Sequence, residues 1–325
     1  PSGSQETMIA RNLNPGTYLY ATMRAVDDFF NLSPLGKCER ILVRGIDIQG
    51  RVIDSRSCEA VEGFIVSAGG IDDTTDAYGS YTLKNLPLYT KVIRAMDEVE
   101  TGSVGDYYDC TKDLLILSES MEIDFYAMPV LGLANTVPPY YYYDRFIAFF
   151  KDITETSGWA GRSTVFKRWN HMTITIYNPP RIHGEIDLQA TARDAMNEWE
   201  DMTGLDLFFE VDDEEIADTR IVYSDSVTSK HHVITIEYNP DGTPAKREVW
   251  IYPNNTMVPL WRYARLIFTH ELGHVIGLMH SRNVGHVMLG LTLPQVEHVT
   301  EDEANVVKIL FHSPFIVDYD IIIEE

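Results

Sequence analysis

The spacing of apolar positions changes once along this chain, and the change divides it. From 45 to 127 the period is two. Ile46, Ile48, Val52 and Ile53 mark one strand region, and 61–67 marks the next. Asp76-Ala77-Tyr78-Gly79 reads as a turn feeding a strand through Leu83. The stretches 91–95 and 121–126 alternate apolar and polar residues. Short strands at this spacing, with turn residues between them, predict a β-sandwich.

Met128-Pro129 through Val137-Pro138-Pro139 is rich in proline and small residues, which predicts a domain boundary. Beyond it the patterns are mixed. Met172, Ile174 and Ile176 alternate as a strand over 169–177. Leu188, Ala192, Ala195, Trp199 and Met202 form the seam of a helix over 186–202. Strands are expected at 206–211 and 220–223, and at 233–238 and 247–251 around the hairpin turn Asn239-Pro240-Asp241-Gly242. A second helix follows. At ~100° per residue, Trp261, Ala264, Phe268, Leu272, Val275 and Met279 fall on one seam. Thr300-Glu301-Asp302-Glu303 is a capping box opening a last helix to about residue 311. The tail 314–325 reads as a strand. The expected parts are an N-terminal extension or partial sandwich repeat at 1–44, a sandwich at 45–130, a linker at 131–140 and an α+β domain at 141–325. The repeat reading of 1–44 has two supports. Arg11-Asn12-Leu13 and the residues to Tyr18 echo Lys84-Asn85-Leu86 and the residues to Tyr89, and Cys38 before Ile41-Leu42-Val43 echoes Cys110 before Leu114-Leu115-Ile116.

Composition narrows the function classes. The chain has 325 residues and a formal net charge of −23, so a basic nucleic-acid footprint is absent. It has no apolar run long enough to cross a membrane as a helix, so membrane insertion is not expected. The first residues do not form a signal peptide, and an export signal is expected to have been removed. Its 3 cysteines, Cys38, Cys58 and Cys110, allow one internal disulfide or none, and neither option is favoured.

The chemistry concentrates in His270-Glu271-Leu272-Gly273-His274-Val275-Ile276-Gly277-Leu278-Met279-His280. Residues four apart stand one above the other on a helix, so His270 and His274 can offer two nitrogens to one ion. Both lie on the side opposite the apolar seam, about 200° and 240° from it. Glu271 sits beside them as a candidate general base. Gly277 can end the helix and turn the chain so that His280 returns as a third ligand. Three neutral imidazoles and an open fourth position describe a catalytic zinc site. The acidic stretch 210–218 matches no calcium-loop spacing, so Ca²⁺ has no support there. His231-His232 is the one other candidate for a metal.

This pattern, followed by Gly285-His286-Val287-Met288, resembles the metzincin zinc endopeptidases, and the matrixin branch in particular. The resemblance implies a zinc peptidase acting on protein or peptide. His270, His274 and His280 would hold Zn²⁺, Glu271 would serve as base and Met288 would form the floor. It also implies that the strand before the histidine helix, about 247–251, is a sheet edge that pairs with extended substrate. Matrixins usually carry Tyr-Pro after the methionine, where this chain has Leu289-Gly290, so the pocket wall is not carried over. Gly50-Arg51-Val52-Ile53-Asp54, 75–81 and Asn85-Leu86-Pro87 resemble the prealbumin-like (carboxypeptidase regulatory-like) sandwich of bacterial surface proteins. The fold class expected is therefore multidomain, an all-β sandwich followed by an α+β zincin domain. A secreted or cell-surface zinc endopeptidase is the first functional reading. The alternative is a surface binding or adhesion protein whose peptidase domain is latent or inactive, with the sandwich touching a surface or matrix. A zinc amidase acting on a non-peptide bond is a third.

Overall fold

The computed structural model describes residues 15, 17–24, 31–87, 90–97, 106–114, 120–131, 149, 150, 153, 169–227, 231–240, 243–255, 260–282, 285–289, 296 and 298–312. The chain forms two compact units, one essentially up to Ala127 and one from Met128. The tail strand expected at 314–325 lies outside the described residues.

The first unit holds β1 (Tyr18–Ala21), β2 (Glu39–Leu42), β3 (Ile46–Asp54), β4 (Ile65–Ala68), β5 (Ile71–Thr74), β6 (Ser80–Leu86), β7 (Val92–Met96), β8 (Cys110–Asp113), β9 (Met121–Glu122) and β10 (Phe125–Ala127). One sheet joins β6, β3, β9 and β10, and another runs β5-β4-β7-β8. Alternation delivers one side chain in two to a shared core. Ile48, Val52, Leu83 and Phe125 come from the first sheet, and Val66, Ile93 and Ala95 from the second. This is a β-sandwich. The single strand expected over 121–126 is broken into β9 and β10, because the Asp124 side chain takes the Arg51 N–H (2.8 Å) in place of a ladder carbonyl. All three cysteines are free thiols, with Cys110 buried and the other two exposed.

The β1–β2 ribbon repeats the β7–β8 ribbon in register. Setting Asn12-Leu13 on Asn85-Leu86 also sets Thr17 on Thr90, and the second echo sets Cys38 on Cys110. Under that placement Leu19↔Ile41, Tyr20↔Arg40 and Ala21↔Glu39 map onto Val92↔Asp113, Ile93↔Lys112 and Arg94↔Thr111.

The second unit holds β11 (Ile174–Tyr177), β12 (Ile182–His183), β13 (Ile186–Asp187), α1 (Leu188–Thr203), β14 (Phe208–Val211), β15 (Thr219–Tyr223), β16 (His232–Tyr238), β17 (Pro244–Ile251), α2 (Leu260–Ile276) and α3 (Glu301–His312). Its five-stranded sheet has the order β14-β11-β15-β17-β16. The first four strands are parallel and β16 is antiparallel to β17. The expected edge strand is therefore corrected. The 247–251 segment lies inside the sheet, and β16 is the edge. The hairpin turn places the earlier strand outermost, because β15 already occupies the other side of β17.

Asp187 caps α1 by accepting from the Ala190 N–H (3.0 Å), and Gly204 closes it in the left-handed region (φ 69°). The seam of α1 continues from Trp199 to Thr203, one residue past the expected Met202, which is 38% exposed. Trp169 is buried ahead of β11 rather than within it, and Met172 is exposed. Helix α2 stops at Ile276, so Met279 leaves the helical phase and its N–H goes to the Ile153 carbonyl (2.7 Å). Among the described residues no helix is long and apolar enough to cross a membrane.

Candidate metal centre

The site is built on α2. Ala264, Phe268, Leu272 and Val275 are buried, which fixes the rotation of the helix and leaves His270 and His274 half-buried on its other side. Trp199 of α1 locks that rotation by donating its indole N–H to the Thr269 carbonyl (2.9 Å). At Gly277 φ is 137°, a value L side chains rarely adopt, and the chain turns back.

That turn brings His280 to the other two. The three ring centroids are 4.8 to 5.3 Å apart. One nitrogen from each ring lies within 4.8 Å of the others. His274 and His280 approach through their Nε2 atoms, 3.2 Å apart. Two nitrogens each about 2.05 Å from a tetrahedral zinc would be roughly 3.3 Å apart, so the spacing suits that ion. The far side of two rings is fixed. His270 Nδ1 donates to the Val287 carbonyl (2.8 Å) and His274 Nδ1 to the Leu278 carbonyl (2.7 Å). A proton held on Nδ1 leaves Nε2 as the lone-pair atom, the usual arrangement behind a ligating histidine.

The electrostatics agree. Burial lowers the pKa of His270 to about 4. Burial, then the neighbouring imidazoles, holds His274 well below its ordinary value, and burial lowers His280. All three are neutral at pH 7, the form that binds metal. Glu271 is 5% exposed, and burial raises its pKa to about 8. Its Oε2 is buried with no hydrogen-bond partner among the described residues. A buried carboxylate oxygen in that state calls for a partner, and a water or substrate group beside the histidines would supply one.

Met288 is fully buried against α2. A Cβ placed on Gly273 would come 2.3 Å from its Sδ and 3.0 Å from Trp199 Cζ2. The loop that carries Met288 is pinned from two sides. Its carbonyl accepts the Ser281 N–H (2.7 Å), beside His280. Its own N–H donates to Glu303 Oε1 (2.8 Å). Glu303 Oε2 takes the Thr300 N–H (3.0 Å) and hydroxyl (2.7 Å), so the expected capping box also holds the methionine loop. His286 is buried beside it, 2.8 Å from the Ser281 hydroxyl and 3.5 Å from Asp302.

Sequence reasoning missed several supports. The motif assigns Gly273 no role, although a helix-interior glycine is itself a sign of close packing. Arg247 was read as an ordinary strand residue. It shares strand parity with the buried Val249 and Ile251, which is a signal for a buried charge. No second metal group occurs among the described residues. His231 Nδ1 accepts the Tyr252 N–H (3.2 Å), and the His232 ring lies nearly coplanar with Trp250 (6°). In the 210–218 stretch Glu210 pairs with Arg193 (2.7 Å), and Asp218 takes the Thr175 N–H and hydroxyl (2.8 and 2.7 Å).

Residues 166–312 match the family model described as Matrixin. No curated protein matches the chain. Among solved structures the chain is similar to the major pilin subunit of Bacillus cereus, at 11% identity over 36% of this chain and 40% of that one, with a TM-score of 0.22. It is also similar to a type II cohesin–X-dockerin complex from Acetivibrio cellulolyticus, at 13% identity over 28% of this chain and 62% of that one, with a TM-score of 0.21. The chain thus spans 40% and 62% of the length of these two structures. The matrixin match supports a metallopeptidase in general terms. The mixed sheet, histidine-bearing helix and methionine loop lie within 166–312, and the match over that stretch supports a metzincin-like catalytic domain there.

Proposed function

We propose that this protein is a zinc-dependent endopeptidase in which His270, His274 and His280 hold the metal and Glu271 is the general base. The observation that carries the reading is the convergence of three neutral imidazoles, two of them fixed through Nδ1, next to a buried carboxylate whose Oε2 has no hydrogen-bond partner among the described residues. Zinc at this position supplies Lewis acidity toward a carbonyl oxygen and an acidified water. The chain's own residues do the rest. Glu271, ionised beside the bound cation, accepts a proton at Oε2 and later gives it to the departing amine. Met288 and Gly273 form the packed floor under the histidine helix. Strand β16 offers a free edge with Ile234, Ile236 and Tyr238 exposed, onto which an extended peptide can add as an antiparallel strand.

The sandwich holds no group of metal-binding side chains among its described residues, and its proposed role is to position the peptidase or contact a surface. The register identity of the two ribbons supports reading 1–44 as part of a sandwich repeat rather than an irregular extension. Action at the cell surface or outside the cell is part of the same proposal.

The test is Glu271→Ala. The variant is expected to bind zinc at the wild-type stoichiometry and to lose chelator-sensitive cleavage of denatured protein. Full cleavage by the variant would remove Glu271 from its role. Zinc-loaded wild type that cleaves no peptide library would favour the latent or inactive surface protein instead.

A further inference from the structure

Helix ends leave carbonyls without intrahelical donors, and the manner of capping decides where the chain goes next. Helix α1 ends conventionally, on a left-handed glycine whose N–H returns to the Glu200 carbonyl. Helix α2 does not. The Leu278 N–H reaches back to the Gly273 carbonyl (2.9 Å), as in a Schellman closure. The companion bond of that closure, from Gly277 N–H to the His274 carbonyl, is missing, because Gly277 donates to Gly273 as well (3.1 Å).

Side chains take over the carbonyls that remain. Arg247, on the strand next to the β16 edge, donates from Nη1 to the His274 carbonyl (2.7 Å) and to the Val275 carbonyl (2.6 Å). Trp169 donates its indole N–H to the Val275 carbonyl (2.8 Å), and the guanidinium lies 5.3 Å from the centre of its ring. Arg247 is 3% exposed, and its own N–H is tied to the Asp218 carbonyl (2.8 Å). Burial lowers its pKa to about 10, so it stays charged at neutral pH. A cation at this point faces the negative end of the helix dipole.

We propose that Arg247 is a positioning residue of the metal site, fixing the backbone of His274 and the turn that returns His280. The inference rests on the reading of the three histidines as zinc ligands. Two effects of opposite sign separate it from mere proximity. A buried positive charge repels a divalent ion, so on charge alone Arg247→Met should tighten binding. Loss of positioning should weaken it, by the roughly tenfold or more typical of groups that orient ligands from behind. The geometry favours the second effect, because the guanidinium is engaged by the two carbonyls of the turn.

The experiment measures Zn²⁺ affinity by chelator competition, together with thermal melting of the metal-free full chain. The variants are Arg247→Met, Arg247→Lys and Trp169→Phe. Arg247→Met is expected to bind zinc at least about tenfold more weakly. Arg247→Lys is expected to recover part of the loss, since an ammonium keeps the charge and can donate but lacks the planar guanidinium that lies against the Trp169 ring. Trp169→Phe keeps the ring and removes one donor, so a smaller weakening is expected. It also serves as the deciding variant if Arg247→Met does not fold. Unchanged or tighter zinc binding in the variants, with only the melting temperature lowered, would overturn the inference and leave the metal site standing. Wild-type protein that takes up no zinc would overturn both.

Discussion

Gly273→Ala sets two known effects against each other at one atom. In an exposed helix the change from glycine to alanine stabilises by about 1 kcal/mol, because glycine has more backbone freedom to lose. At Gly273 the added methyl would lie 2.3 Å from Met288 Sδ and 3.0 Å from Trp199 Cζ2. Ordinary contacts are about 3.5–4.0 Å, so the sulfur would have to move by more than an ångström. Met288 is flexible but has 0% exposure, and Trp199, also at 0%, is held by its bond to Thr269. Overpacking of such a core costs about 1–3 kcal/mol. The clash wins, and the expected net loss is up to about 2 kcal/mol, or a fall in Tm of up to roughly 6 °C for a domain of this size. Metal-free protein melted in chelator measures it.

A second substitution makes the result specific. Met288→Ala alone should cost about 2–5 kcal/mol as a cavity. In the double variant the methyl added at position 273 moves into space that the methionine side chain has left. The two costs should then fall short of their sum by more than about 1 kcal/mol, well outside the additivity of independent sites. A Gly273→Ala protein that melts higher than wild type, or a double variant that is simply additive, would refute the packing argument.

Three further outcomes are expected. In metal-free protein Glu271 holds a proton up to about pH 8, while its unfolded counterpart loses it near 4.5, so stability should fall as pH rises through that window. The histidines act in the opposite sense. His270 titrates near 4 in the fold against 6.5 unfolded, so stability should also fall as pH drops below about 6.5. Melts of metal-free wild type should therefore show a maximum between the two limbs, and Glu271→Gln should abolish only the alkaline limb. Glu303→Ala strips acceptors from Met288 N–H and Thr300 N–H, and should cost about 2–4 kcal/mol in denaturant titration. A loss no larger than that of Thr300→Ala alone would mean the loop bond is idle. Glu198→Ala removes the buried acceptor of Arg265, Thr269, His298 and the Val299 N–H, which joins α1, α2 and the segment before α3. It should lower stability by about 2–4 kcal/mol and leave zinc stoichiometry unchanged.

All three candidate ligands were legible in the sequence because their signals are local. His270 and His274 need only four residues of phase, and Gly277 announces the turn. The capping box at Thr300 and the alternation of β3 were legible for the same reason. What stayed hidden depends on partners far along the chain. The edge expected at 247–251 came with the resemblance, since periodicity gives strands but not their order, and order in this sheet is set by β15 claiming one side of β17. The break between β9 and β10 came from a side chain, Asp124, substituting for a carbonyl on a strand 73 residues away. Arg247 and Glu303 were visible as residues, but their roles were not, because hydrogen-bond acceptors on a distant helix end leave no periodic trace.

These hidden contacts share one target. His270 and His274 constrain each other through the helix itself, so their geometry survives small disturbances. His280 has no such tie. It follows the turn at Gly277, is more exposed than the other two, and among the described residues its backbone is placed by what holds the chain on either side of it. On one side Arg247 and Trp169 grip the carbonyls before the turn. On the other the Ser281 N–H bonds to Met288, whose own N–H bonds to Glu303. The third ligand is therefore the one whose placement depends on the sheet and the last helix. It follows that weakening either grip should resemble a diluted form of His280→Ala, with zinc affinity reduced and stoichiometry kept. Weakening both should give a loss larger than the sum, since either grip left in place still orients the segment in part. Additive losses from Arg247→Met and Glu303→Ala would show instead that His280 finds its position without them.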